Sequence, residues 1–366
     1  MSTAIPTTSR SIAVRPDQPG EVHYTSVPVP APGPDDVVVK VIRIGVCGTD
    51  REIIHGLLGT PPDGTDELVI GHEVLGRVVA TGDAVADLNH GDLVSATVRR
   101  PDGCPACRAG QSDMCLWGEY QERGIASQHG FMTEFFAENR AFIVPVPDDL
   151  EHVGVLIEPL TVVEKAARQA DLIQRRMAYW NVTTAVVLGA GPIGMLGTLL
   201  LRSRDIDVTT VARTPKPNPA ASIIEASGAN YVSTEVESLQ ALHQRLGNID
   251  LILESTGAST LAFDAMTMLG ANGVLALLSL TGGNGTAEVP TARINTGLVA
   301  GNKVVVGSVN AGIEDFTNSV DHLRRFETLW PDLLEQMFTN RIPFDAALGS
   351  IAAKADHGIK TLIEFN

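Results

Sequence analysis

Positive charge is what this chain has least of. Its 366 residues carry 27 Lys and Arg against 43 Asp and Glu, a formal net charge of -16 at pH 7. A nucleic-acid partner requires a basic face to neutralise its phosphates, and no cluster of Lys and Arg supplies one. The same shortage argues against an anionic membrane surface. Arg far outnumbers Lys within the small basic set, a balance that favours solubility at high salt but is too mild to prove a high-salt host. Cysteine is scarce too, at four residues, which makes no disulfide scaffold in a chain of this length. No secretory signal is seen at the start, and the Ser/Thr-rich residues 1–10 read as a frayed terminus; the expected setting is reducing and cytoplasmic. One uncharged run, residues 182–201, has about the length of a membrane span. Gly189, Gly191, Pro192 and Gly194 interrupt it, so a strand, a tight turn and a helix explain it better.

What is present fits an ordinary globular protein: 44% hydrophobic residues, 19% charged, mean hydropathy +0.11. The length suits two domains. Residues 11–41 read as short alternating strands broken by Pro and Gly, a β-rich opening. From residue 184 onward strands alternate with helices, the pattern of a doubly wound parallel sheet. The fold class is therefore α/β.

The chemistry-bearing residues begin at Val46-Cys-Gly-Thr-Asp50, after an apolar strand at 37–44. A soft thiol, a hydroxyl and a carboxylate are parts of an open zinc site, although a lone cysteine after a strand is more often a small buried hydrophobe. Gly71-His-Glu73 then adds an imidazole and a carboxylate at the start of another strand. Taken alone, a His-Glu pair is usually surface polarity; with Cys47 upstream the types match three zinc ligands and leave one position open. Glu158 precedes a proline, which favours an extended residue and a helix starting after it.

The other three cysteines, Cys104, Cys107 and Cys115, have the spacing of a structural zinc lobe lacking its fourth cysteine. Asp113 or Glu119 are candidates for the fourth ligand; the alternative is a shortened lobe with free thiols.

Gly189-Ala190-Gly191-Pro192-Ile193-Gly194 is a G-x-G-x-x-G turn between a strand and a helix, where backbone amides and the helix start favour a pyrophosphate. The next strand ends in Ala212-Arg213-Thr214 rather than in the Asp or Glu that takes an NAD ribose, so NADP is the expected cofactor, with NAD as a possible second. Loops at strand ends line such cofactor clefts. That makes Leu277, Leu278 and Ser279, with Ser308, Val309 and Asn310, candidates near the nicotinamide.

Gly45-Val-Cys-Gly-Thr-Asp-Arg-Glu-Ile53 followed by Leu68-Val-Ile-Gly-His-Glu73 resembles the zinc-dependent medium-chain dehydrogenases/reductases, and within them the glucose 1-dehydrogenase branch known chiefly from archaea. The resemblance covers nearly the whole chain beyond the first ten residues. It implies a GroES-like catalytic domain at 1–174 and 311–366 and a Rossmann domain at 175–310. It puts catalytic Zn2+ on Cys47 and His72, with Glu73 a ligand in some states and Glu158 a third or alternating one. Thr49 would lie on the substrate hydroxyl and Asp50 would brace His72. Glu122, Glu158 and Asn310 would contact the sugar. The implied reaction is oxidation of an aldose at C1, D-glucose to the 1,5-lactone, in a homo-oligomer of two or four subunits. Val98 stands where some members have Asn and Ala300 where some have His, which puts the particular sugar in question. The rivals are another zinc polyol or alcohol dehydrogenase and, from a different class, a non-enzymatic NADP-binding redox sensor.

Overall fold

Branched side chains fill the run Asp36–Val46, and it forms an eleven-residue strand whose Val37, Val38 and Val39 are all buried, so both faces of the strand are covered there. The computed structural model describes residues 5–280, 285–351 and 358–365. Within them the chain forms two compact units. The first runs up to Glu158 and takes in 310–323 and the described part of 338–366; the second holds Pro159–Val309 and Arg324–Met337.

In the first unit Asp36–Val46 is central to a seven-stranded sheet, flanked by Glu73–Thr81 on one side and Lys360–Glu364 on the other. The register matters more than the count. Gly45 pairs with Glu73 and Val46 with Thr361, so the residues just past one end of the strand pair meet: Cys47, Glu73 and Lys360. A slip of one residue would send every side chain to the other face. The core beneath is mostly aliphatic, with Ile44, Ile70 and Val74 essentially inaccessible, and Phe131 is buried among them.

The expected frayed terminus ends earlier than residue 10. Thr8–Val14 is a strand paired antiparallel with Val22–Pro28. The hydroxyls of Ser9 and Ser11 are buried and both reach Thr133 Oγ1, at 2.6 and 2.7 Å. Their polarity, which suggested a tail, is satisfied inside.

The second unit is a six-stranded parallel sheet whose spatial order is Asn230–Ser233, Asp207–Ala212, Thr184–Leu188, Leu251–Glu254, Val274–Leu277 and Val304–Gly307. The order reverses direction between Thr184–Leu188 and Leu251–Glu254, the switch point at which doubly wound sheets take their ligands. The helix Ile157–Gln174 buries Leu160, Val163, Ala166, Ala167 and Ala170. A Cβ on Gly197 would meet Val163 and Leu253, so this glycine lets two helices and the sheet close together. That packing is why the boundary between the units falls at Glu158 and not at Arg175, behind the helix.

Glu158 itself departs from the expected extended conformation. The helix starts at Ile157, one residue before it, so Glu158 and Pro159 both lie in the first turn. Proline is accommodated there because a first-turn N–H has no partner in the helix to lose. No helix among the described residues is long and apolar enough to cross a membrane.

Candidate catalytic and cofactor sites

Asp50 is the residue that draws two loops together. It is fully buried in the first turn of the helix Gly48–Ile54. Its Oδ2 accepts the Cys47 backbone N–H at 2.9 Å, and its Oδ1 accepts that of Gly71 at 3.2 Å. One carboxylate thus fixes the residue before His72 and the start of the helix behind Cys47. Gly71 has φ +89, and a Cβ there would strike Ile44 and Met132, so this position requires glycine.

As a result Cys47 Sγ lies 3.1 Å from His72 Nε2. The other imidazole nitrogen, Nδ1, faces Asp50 Oδ1 at 3.7 Å. Ligand atoms of Cys47, Asp50 and His72 all lie within 4.8 Å of one another, as do those of His72, Glu73 and Glu158. Four of the residues named from sequence therefore converge, with Asp50 behind them. Thr49, half-buried, follows Cys47 by two residues on the same helical turn.

Burial and the Asp50 carboxylate push the Cys47 thiol up. Burial alone would hold the His72 imidazole low, but the Cys47 sulfur and Asp50 raise it well above its usual value. The protein around the partly buried Glu158 carboxyl pushes it up to about 7, with Glu73 adding to the effect and His72 opposing it. Lys360, from the closing strand, is buried and ion-paired with Glu73. Sequence reasoning assigned it no role; the only signal was a lysine inside an apolar strand. Glu73, Glu158 and the Cys47 sulfur all act on this buried ammonium, and a metal ion bound beside them would take the place of the protons that Cys47, His72 and Glu158 otherwise hold. The donor set, a thiol, an imidazole and carboxylates, suits zinc.

The cysteine lobe corrects one expectation. The carboxylate that stands with its three sulfurs is Asp102, not Asp113 or Glu119: Asp102, Cys104, Cys107 and Cys115 offer ligand atoms within 4.8 Å of one another. Asp102 Oδ1 accepts the Cys104 N–H at 2.9 Å, while Oδ2 lies 2.8 Å from Cys115 Sγ. The Cys115 bond holds its carboxyl well below the usual range. Cys104 caps the short helix Pro105–Arg108, its sulfur accepting N–H groups from Cys107 and Leu116 at 3.4 and 3.3 Å. Asp113 is buried beside Gly312 instead. All four cysteines are free.

A second cluster joins two of the predicted sugar contacts. Asn310 Nδ2 donates to Glu122 Oε1 at 2.7 Å, and Arg99 Nε donates to the same oxygen at 3.0 Å. Asn310 has φ +59, a left-handed conformation that asparagine tolerates better than most residues. The segment that follows Glu122 also lies against the metal-ligand loop: a Cβ on Gly124 would lie 2.5 Å from the Gly71 carbonyl, and further on Phe131 N–H donates to that carbonyl at 2.8 Å.

In the second unit, Gly189 has φ +109 and lies against Ser255, while a Cβ on Gly194 would lie 2.0 Å from the Gly189 carbonyl. Gly191 caps the helix Pro192–Arg202 and faces open space. Ala190 and Ile193 complete the turn. Arg213 and Thr214 are exposed, their backbone carbonyls held by Ser233 Oγ at 2.5 Å and the Tyr231 hydroxyl at 2.7 Å. Ser279 Oγ donates to Glu254 Oε2 at 2.5 Å, and Leu277 and Leu278 are half-buried beside it. Ser308 follows the edge strand Val304–Gly307, and Val309 beyond it is half exposed.

Residues 33–148 match the family described as Alcohol dehydrogenase GroES-like domain, and residues 151–365 that described as Glucose dehydrogenase C-terminus. The chain is 39% identical over 357 residues to a glucose 1-dehydrogenase of Methanocella arvoryzae, covering 97% of this chain and 99% of that one. A glucose 1-dehydrogenase of Thermoproteus tenax is 37% identical, with 92% and 94% covered. Among solved structures, the glucose dehydrogenase of Haloferax mediterranei in complex with NADP, Zn and gluconolactone superposes with a TM-score of 0.89 at 33% identity, covering 98% of this chain and 99% of that one. Shared identity along almost the entire length, with both halves matched in order, means that this chain belongs to the glucose 1-dehydrogenase branch of the zinc-dependent medium-chain dehydrogenases/reductases.

Proposed function

We propose that the chain oxidises an aldose at C1, D-glucose to D-glucono-1,5-lactone, passing the hydride to NADP, with NAD as a second acceptor. The observation that carries this reading is the approach of Cys47 Sγ to His72 Nε2 at 3.1 Å, with Glu73 and Glu158 in reach of the same imidazole. Cys47 and His72 would hold Zn2+ with one of the two glutamates, and both must shed protons to do so. Bound there, the ion supplies Lewis acidity toward the anomeric oxygen.

The protein's own residues do the rest. Asp50 fixes both ligand loops and keeps the His72 ring oriented through Nδ1. Thr49 meets the anomeric hydroxyl and hands its proton outward. Glu122, Glu158 and Asn310 accept or donate hydrogen bonds to the sugar hydroxyls, so an analogue lacking one leaves a buried polar group unpaired. The glycine turn and the start of the helix Pro192–Arg202 take the pyrophosphate. Arg213 and Thr214 receive the 2′-phosphate, and Leu277–Ser279 with Ser308–Asn310 border the nicotinamide.

The Asp102, Cys104, Cys107 and Cys115 lobe would hold a second, structural zinc. The chain also assembles with itself, as a dimer or tetramer. Val304–Gly307 is an edge strand, and the neighbouring helix Thr291–Ala300 has no buried residue, with Val299 71% exposed. The setting is cytoplasmic, in keeping with four free thiols.

The test is NADPH formation on a panel of aldoses, polyols and simple alcohols, with and without a chelator. Chelator-sensitive turnover of glucose and its epimers is expected. Turnover of polyols alone would move the chain to another branch of the superfamily.

A further inference from the structure

Arg99 has no part in the reading above, yet its guanidinium is among the most tightly held in the protein. Its side chain is only 4% exposed. Nε and Nη2 both reach Glu122 Oε1, at 3.0 and 2.9 Å. Nη1 donates to the Asp113 carbonyl at 3.4 Å, and the guanidinium lies 3.7 Å from the centre of the Tyr120 ring. The backbones agree with the side chains: Arg99 and Glu122 are directly paired across the two short strands Arg99–Arg100 and Gln121–Arg123. The neighbouring arginines are engaged elsewhere, since Arg100 and Arg123 both pair with Glu138, at 2.5 and 2.8 Å.

The hydrogen bonds from Arg99 Nε and Asn310 Nδ2 and the ion-pair contact from Arg99 Nη2 all fall on the same oxygen of Glu122. Oε2 accepts none from the described residues. Rotation of the carboxylate about its own bond would carry Oε1 away from both Nε and Nη2 of the planar guanidinium, whereas a single ammonium would let it swing. The cation also offsets the cost of keeping that carboxylate charged in a nearly closed position.

We propose that Arg99 is a positioning residue that sets sugar specificity: it locks Glu122 through Oε1 so that Oε2 is presented, in one fixed place, to a hydroxyl of the substrate. This rests on the aldose reading above and adds to it the group that decides how strictly one hydroxyl is demanded. It also ties the pocket to the cysteine lobe, because the same guanidinium holds the Asp113 carbonyl within that lobe.

The test is steady-state kinetics of the zinc- and NADP-loaded enzyme on glucose and its 2-, 3-, 4- and 6-deoxy analogues, for wild type, Arg99→Met, Arg99→Lys, Glu122→Gln and the double variant Arg99→Met/Glu122→Gln. Wild type is expected to penalise one deoxy analogue strongly. In Arg99→Met the glucose KM rises about tenfold or more, the loss of a charge-assisted hydrogen bond, while kcat changes far less. The penalty against that analogue collapses in step. Arg99→Lys keeps the charge but not the fork, and lands between the two. The double variant is no worse than Glu122→Gln, because the two residues act as one unit. NADP affinity and melting temperature are read alongside; if Arg99→Met does not fold, Arg99→Lys and Glu122→Gln carry the comparison. An unchanged KM and deoxy penalty in Arg99→Met or, should that variant not fold, in Arg99→Lys would overturn the proposal, as would additive losses that fall equally on every sugar. Wild type that oxidises no aldose would instead sink the aldose reading, and this inference with it.

Discussion

Cys47 and Cys104 each come to rest beside a carboxylate and further metal-ligating groups, but the chain brings them there by different routes. The Cys47 cluster draws on residues far apart in sequence, 47, 50, 72, 73, 158 and 360, gathered by strand register and by the two backbone bonds of Asp50. The Cys104 cluster is local. Its members lie between Asp102 and Cys115, held by N–H groups of the same short segment. The surroundings differ as well. His72, Glu73 and Lys360 are buried in the sheet's end, whereas the lobe shows Leu116 and Trp117 at 69% and 54% exposure. A non-local, buried cluster cannot lose a charge without leaving others unpaired. A local one, with Cys104 buried but Asp102 and Cys115 only partly so, can let water in. On the function proposed above, chemistry that needs a low dielectric and fixed groups would belong to the first, and a stapling role to the second.

The contrast can be broken by substitution. Cys47→Ala should have the largest effect. Partners behind a metal ligand are worth about 10–100-fold, so losing the ligand itself should cost more than about a hundredfold in kcat/KM while the lobe keeps its metal. Zinc content and turnover, measured together, check this. Lys360→Met leaves Glu73 buried without its cation, at a cost of about 3–5 kcal/mol in folding stability, seen as a lowered denaturant midpoint. Asp50→Asn should weaken metal retention about 10–100-fold in chelator competition, since it disturbs both loops and the His72 ring. Asp102→Ala is expected to do least. Metal content should fall by one equivalent and melting should come earlier, with sugar turnover reduced only a few-fold. If Asp102→Ala instead matched Cys47→Ala in lost turnover, the division of labour between the clusters would be wrong.

Local signals were readable in the sequence to the extent that one backbone requirement decided them. Gly189, Gly191 and Gly194 announced the turn because no side chain fits where the first and third sit and the second must leave room for a ligand. Cys47 and His72 could be named from their motifs, but their 3.1 Å approach depends on Asp50 reaching both loops, which spacing alone does not state. Lys360 was invisible because its partner is set by the closing strand pairing with Asp36–Val46, a contact with no sequence periodicity. Asp102 was missed because a carboxylate two residues before Cys104, across Gly103, could equally have pointed to solvent. The helix start at Ile157 was misplaced by reading Pro159 as a barrier, when the first turn accepts it.

The central claim, that one cation held by Cys47 and His72 drives aldose oxidation, is tested most directly by stripping the protein of metal and titrating zinc back while following glucose-dependent NADPH formation. The expected result is loss of turnover on stripping and full recovery once the catalytic site is refilled, with Cys47→Ala failing to recover at any zinc concentration. Glucose oxidation that persists in the metal-free protein, or recovery in the variant equal to wild type, would contradict it.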